Sequence, residues 1–75
     1  MILVDFQTDL PNALRALRRG KGLSQDEAVK ELGVARNTLS LYETGKLTPS
    51  LDTLIKLLDF YGYRVVIRVE PKGEQ

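Results

Sequence analysis

The chain has 75 residues and a formal net charge of +1, from 11 lysines and arginines against 10 aspartates and glutamates. It contains neither cysteine nor histidine, which excludes disulfides and the usual zinc ligand sets, so neither a metal nor a cofactor is expected. A domain of this size buries only about 60% of its unfolded surface, which makes a partner subunit the natural source of further buried area.

Membrane proteins and enzymes are the two classes that the composition disfavours. No apolar run approaches the roughly 20 residues that span a bilayer, and the apolar start of the chain is too short for a secretion signal. A cytoplasmic protein without a membrane partner is therefore expected. Without histidine or cysteine, no pairing of a nucleophile with a base is visible, and the sequence predicts no enzyme.

The first elements in chain order are an apolar arm and a helix. Residues 2–6 are interpreted as an extended arm or strand. Asp9 stands at a capping position ahead of Pro11 in the first helical turn. Leucines then recur at helical spacing, at Leu10, Leu14 and Leu17. Gly20 and Gly22 end the predicted helix.

Two short helices joined by a glycine turn come next. Ser24 and Glu27 form a Ser-x-x-Glu capping box at the start of a helix that ends at Gly33. Its apolar face consists of Ala28, Val29 and Leu32. The next helix covers residues 36–44 and ends at Gly45, with Leu39 and Tyr42 expected to face inward.

A fourth helix and a strand complete the pattern. Ser50 caps the helix and Gly62 ends it, with four apolar side chains expected inside, at Leu51, Leu54, Ile55 and Leu58. Residues 63–69 then change to a period of two, which is typical of a strand with one buried face. The buried set consists of Tyr63, Val65, Ile67 and Val69.

The predicted fold class is mainly α, in a single domain over residues 1–75. A helical core covers about residues 10–61, and the C-terminal strand covers 63–69. A lone strand is unstable in water, so this one needs a partner. Two partners remain open: the N-terminal arm of the same chain, or the same strand of a second subunit across a two-fold axis.

Five short motifs follow one another in a fixed order between residues 14 and 51. They are Leu-Arg-x-Leu-Arg at 14–18, Leu-Ser-Gln at 23–25, Leu-Gly-Val at 32–34, Tyr-Glu-x-Gly-Lys at 42–46 and Pro-Ser-Leu at 49–51. Together they resemble the phage-repressor and Cro family, also called the XRE family. The resemblance implies a λ-repressor-like helix-turn-helix domain that represses transcription, as a homodimer on an inverted repeat of double-stranded DNA.

The same resemblance assigns roles to individual side chains. Base reading falls on the third helix, at Arg36, Asn37, Ser40 and Leu41. Phosphate binding falls on Gln25, Thr38, Thr44, Lys46 and Thr48. Arg18 and Glu43 are implied to pair and to brace the third helix. Leu41 rests either on a thymine methyl or on the domain itself, and a basic face or phosphate contacts remain open for Arg15, Arg19 and Lys21.

Two departures from the family pattern affect the predicted base contacts. Val29 stands where relatives have alanine, which should shift the two helices slightly, and Ala35 cannot cap the third helix through its side chain.

Three functions are compatible with these residues. The C-terminal strand resembles that of HipB-type antitoxins, which implies a cognate toxin as a further partner and an autoregulated operon. A stand-alone phage-type repressor is the first alternative. A protein-interaction module that has lost DNA binding is the second, and the retained Gln25, Arg36, Asn37 and Lys46 argue against it.

Overall fold

Four helices account for the regular structure of the computed structural model, which describes residues 9–73. Their bounds are Leu10–Gly20 for α1, Gln25–Leu32 for α2, Arg36–Thr44 for α3 and Leu51–Phe60 for α4. The mainly α prediction with four helices is therefore confirmed. The predicted N-terminal arm lies outside the described residues.

Serine side chains begin two of the helices, as the sequence predicts. The Ser24 hydroxyl accepts the Glu27 N–H at 3.1 Å, and the Glu27 carboxylate accepts the Ser24 N–H at 2.9 Å. Hydrogen bonding of the Glu27 carboxylate to Ser24, foremost to the Ser24 N–H, lowers the pKa of Glu27. The Ser50 hydroxyl accepts the Thr53 N–H at 3.2 Å at the start of α4. The two caps satisfy N–H groups that have no partner within the helix.

The capping role predicted for Asp9 is wrong. Asp9 has a helical backbone, with φ −105° and ψ −15°, and its side chain accepts no capping hydrogen bond. A capping side chain reaches the first-turn N–H groups from an extended backbone, which Asp9 does not adopt. Pro11 also lacks an N–H, so the first turn offers one donor fewer. Ala35 likewise makes no side-chain cap, as expected.

A single apolar core holds the helices together. It consists of Leu10, Leu14, Ala28, Leu39, Tyr42, Leu54, Leu57 and Tyr61. α3 packs against both α1 and α2, and Leu39 at its centre is completely buried. The inward positions predicted for Leu39 and Tyr42 are confirmed. The core therefore fixes one face of α3 and leaves the other in solvent.

The inward face predicted for α4 is partly wrong. Leu51 and Ile55 are 50% and 44% exposed, although both were expected inside. The buried stripe runs instead through Leu54, Leu57 and Tyr61. With 100° between successive residues, Leu51 and Ile55 lie along one edge of that stripe rather than in it.

The predicted C-terminal strand is not confirmed. Within the described part of the chain, residues 63–73 form neither a helix nor a paired strand. Val66, Ile67 and Val69 are largely exposed. A strand needs a ladder of hydrogen bonds from a neighbouring strand, and residues 9–73 of one chain supply no such strand. The Tyr63 N–H donates to the Leu58 carbonyl at 2.8 Å, which closes the turn after α4 rather than forming a ladder. Among the helices described, none is long and apolar enough to cross a bilayer.

Candidate DNA interface

α3 presents its first turn to solvent and anchors its second half in the core. Arg36 and Asn37 are exposed, whereas Tyr42 and Glu43 are buried. The other predicted contact residues of this helix, Thr38, Ser40 and Leu41, are half-buried. Helical geometry places all the predicted base-reading side chains on one outer arc of α3.

The inner end of α3 is held by an ion pair with α1. The Arg18 Nε and Nη2 atoms donate to the two carboxylate oxygens of Glu43, at 2.8 and 2.9 Å. Hydrogen bonding to this carboxylate raises the pKa of Arg18, against the lowering effect of burial. Arg18 Nη1 also donates to the carbonyl of Leu23 at 2.7 Å. One arginine thus connects α1, the loop before α2, and α3.

Gln25, the first residue of α2, joins the same network. Its side-chain amide donates to a Glu43 carboxylate oxygen at 3.2 Å. An amide nitrogen carries two N–H groups, so this bond orients the side chain and leaves one donor for a phosphate. Glu43 therefore accepts hydrogen bonds from both α1 and α2 while belonging to α3.

A second ion pair lies on the outer surface. The Arg36 Nε is 2.8 Å from a carboxylate oxygen of Asp26, and both side chains are exposed. No sequence motif indicated this pair. The two residues are ten positions apart on different helices, and only the crossing of α2 and α3 brings them together.

The loop after α3 exposes Lys46 and Thr48. Its backbone is fixed, because the N–H groups of Lys46 and Leu47 donate to the Leu41 carbonyl at 3.0 and 3.2 Å. The Thr44 hydroxyl donates back to the Ser40 carbonyl at 2.9 Å. Its single proton is thus engaged, and a phosphate contact by Thr44 would have to break this bond.

The basic residues of α1 and its end have different surroundings. Arg15 donates to the side chain of Asn12 at 2.7 Å, and the Lys21 ammonium lies 5.4 Å from the centre of the Phe60 ring. Arg19 is exposed. Both interpretations of these residues, phosphate contact or solvated basic face, stay open.

The sequence model of the family described as Helix-turn-helix matches residues 14–67, more than half of the chain. The chain belongs to the helix-turn-helix family. The matched part of this helix-turn-helix chain includes most of α1 and all of α2, α3 and α4. It also includes the ion pairs of Arg18 with Glu43 and of Arg36 with Asp26. The resemblance to the phage-repressor and Cro type is confirmed.

Curated relatives of this helix-turn-helix protein are named as transcriptional regulators or as antitoxins. It is 43% identical over 49 residues to the cryptic phage CTXphi transcriptional repressor RstR of Vibrio cholerae, which covers 65% of this chain and 44% of the relative. It is 36% identical over 56 residues to the uncharacterized regulator MJ0272 of Methanocaldococcus jannaschii, covering 75% of this chain and 85% of that protein. It is 35% identical over 51 residues to antitoxin HipB of Escherichia coli, covering 68% and 54%. The match thus spans less than half of RstR and about half of HipB.

Proposed function

We propose that this helix-turn-helix protein is a sequence-specific transcriptional repressor that binds an inverted-repeat operator as a homodimer. The observation that carries the proposal is the two-sided character of α3. Leu39, Tyr42 and Glu43 are buried, while Arg36 and Asn37 are exposed at its first turn. A helix anchored on one side and polar on the other can enter the major groove without losing its hold on the domain.

The exposed first turn of α3 has the chemistry that reads bases. Arginine pairs bidentately with guanine and asparagine with adenine, and each such pair discriminates by about 1–3 kcal/mol. Arg36 and Asn37 take these roles here, and Ser40 and Leu41 follow on the same arc.

The phosphate contacts surround that arc. Gln25 begins α2 with an amide already oriented by Glu43, and the N-terminus of a helix favours an anion. Lys46 and Thr48 lie exposed in the loop after α3. Contacts of this kind set the position of the protein on the duplex, whereas the base contacts set its sequence preference. Thr38 and Thr44 complete the proposed set, and Thr44 would exchange its hydrogen bond to the Ser40 carbonyl for one to a phosphate.

The proposed homodimer forms through the C-terminal segment, residues 63–69. Its alternating apolar residues have no partner strand among residues 9–73, and an antiparallel ribbon with a second copy would supply one. A two-fold dimer presents two recognition helices about 34 Å apart, which matches an inverted repeat with one helical turn between half-sites. Such a dimer on a promoter blocks polymerase without further contacts.

The proposal is tested by selecting binding sites from a random duplex library and titrating the best site at several salt concentrations. We expect an inverted repeat whose affinity falls steeply with salt. Arg36→Ala and Asn37→Ala should relax the preference at one base pair each. Lys46→Ala should weaken binding to DNA of every sequence and reduce the salt dependence of that binding by about one charge. Lys56→Ala, which removes an exposed lysine of α4, is the matched control and should change neither quantity.

The opposite result is equally informative. If no sequence is enriched and the affinity equals that for bulk DNA, the chain is not a sequence-specific repressor. The interaction-module alternative then takes its place.

Antitoxin activity is the second candidate function. Two relatives are named antitoxin HipB, at 35% and 33% identity. Leu51 and Ile55 leave apolar surface on the outer side of α4, where a toxin could bind. Co-expression with the product of a neighbouring gene tests this: a toxic product that this chain neutralises supports pairing. A neighbour that is harmless alone contradicts it.

A further inference from the structure

The ion pair between Asp26 and Arg36 places an acid beside a proposed base-reading side chain. Arg36 is the first residue of α3 and Asp26 the second of α2. The Nε–oxygen distance is 2.8 Å, with 63% of the Arg36 side chain and 71% of the Asp26 side chain exposed. The pair therefore lies on the surface that would face DNA, rather than in the core.

Asp26 is not required to begin α2. The capping box already uses Ser24 and Glu27, each of which bonds the backbone N–H of the other. An additional carboxylate in this turn lies where a phosphate would approach the helix, so it opposes DNA binding in general. Acids in a first turn stabilise the helix N-terminus, and Glu27 already supplies one to α2. The contact of Asp26 with Arg36 therefore points to a further role.

We propose that Asp26 is a specificity-determining positioning residue that acts through Arg36. This inference rests on the proposed function. The carboxylate lies 2.8 Å from Nε and attracts the guanidinium toward α2, which leaves the edge formed by the two terminal nitrogens for a guanine. It also competes with any phosphate for the charge of Arg36.

The two effects act differently on the two kinds of complex. In a complex with the operator, Arg36 makes two directed hydrogen bonds to a base, and a held side chain loses less conformational freedom on binding. In a complex with unrelated DNA, Arg36 gains mainly from proximity to phosphates, and the neighbouring carboxylate reduces that gain. Asp26 thus lowers the affinity for unrelated DNA more than the affinity for the operator.

The test is a double-mutant cycle with Asp26→Asn and Arg36→Ala, measured on the selected operator and on an unrelated duplex. Asp26→Asn should tighten binding to the unrelated duplex about two- to fivefold, the range expected from an exposed ion pair. The salt dependence on that duplex should steepen by up to about one charge. Operator affinity should change less than about twofold, so the ratio of operator affinity to unrelated-duplex affinity should fall. In the Arg36→Ala background, Asp26→Asn should change the affinities for the two duplexes by the same factor.

Glu31→Gln is the matched control, since it removes the same charge from an exposed position of the same helix. It should shift both affinities equally, and thermal unfolding verifies that each variant is folded. If Asp26→Asn behaves like Glu31→Gln, or has the same effect without Arg36, the proposed role of Asp26 is overturned while the repressor proposal stands. If the unmodified protein shows no sequence preference, both proposals fail.

Discussion

Arg18 donates to both carboxylate oxygens of Glu43, a residue 25 positions later, at 2.8 and 2.9 Å. Only 8% and 2% of the two side chains remain exposed. Two charges removed from water in this way compensate each other only while both are present, because either one alone keeps the cost of burial without a partner. The position of α3 therefore depends on a residue of α1.

Removing one member of this pair should destabilise the domain strongly. Arg18→Met leaves the Glu43 carboxylate buried without its cation, and we expect a loss of about 3–5 kcal/mol in the free energy of unfolding. Chemical denaturation measures this loss. The double variant Arg18→Met/Glu43→Leu should be more stable than Arg18→Met alone, since it leaves no unpaired charge. Equal stability of the two would show that the pair is not coupled.

Tyr61 should make stability depend on alkaline pH. Burial foremost, together with the Glu43 carboxylate, raises the pKa of Tyr61 to about 12. The unfolded chain ionises at its ordinary pKa near 10. Below that pH both states are protonated and the stability is fully present. Between about pH 10 and 12 the unfolded state loses its proton first, so stability falls with rising pH.

The variant Tyr61→Phe tests this dependence. The buried hydroxyl has no hydrogen-bond partner among residues 9–73, so its removal should change the stability at neutral pH by no more than about 1 kcal/mol. Denaturation series across the alkaline range should show a smaller fall for Tyr61→Phe. Tyr63→Phe alters an exposed tyrosine and should retain the fall. An unchanged profile in Tyr61→Phe would assign the alkaline loss to other groups.

Gly45 should tolerate alanine less well than Gly33. Both have left-handed backbones, with φ of 79° and 71°, so each substitution incurs roughly 1 kcal/mol of backbone strain. At Gly45 the new methyl group would also lie 3.3 Å from Pro11 Cγ, whereas nothing lies within 4 Å at Gly33. Thermal unfolding of Gly45→Ala and Gly33→Ala separates the two effects. Equal losses would mean that Pro11 moves aside at no cost.

Dimerisation should depend on one face of the C-terminal segment. In an antiparallel ribbon, Val65 lies on the proposed buried face and Val66 on the opposite one. Val65→Asp should therefore give monomers by light scattering, and Val66→Asp, the same change at the next residue, should leave the dimer intact. A dimer that survives Val65→Asp, or dissociates equally with both variants, contradicts the proposed ribbon.

Local signals were sufficient to predict the helices. The start of α2 follows from the capping box of Ser24 and Glu27, and the ends of α2 and α3 follow from Gly33 and Gly45 respectively. Each of these signals acts within a few residues of a helix end, so its effect can be derived from the sequence. Asp9 shows the limit of such signals, because capping requires a backbone conformation that residue type alone does not fix.

Features that depend on how the helices pack were not predictable in the same way. α4 is apolar over a wide arc, and the sequence did not show which part faces the core, so Leu51 and Ile55 were misplaced. The pair of Asp26 with Arg36 depends on where α2 meets α3. Whether residues 63–69 form a strand depends on a neighbouring strand outside that segment, and none lies among residues 9–73.

The separation of buried anchors from exposed residues proposed to read bases on α3 has an evolutionary consequence. Substitutions at exposed positions such as Asn37 usually change stability by less than about 0.5 kcal/mol. A descendant of this chain could therefore acquire a new operator by changing that surface, while the anchors below it remain as they are. Arg36 is the exception, because a new residue there leaves Asp26 without its cation. Drift at this position would then favour a compensating change in α2.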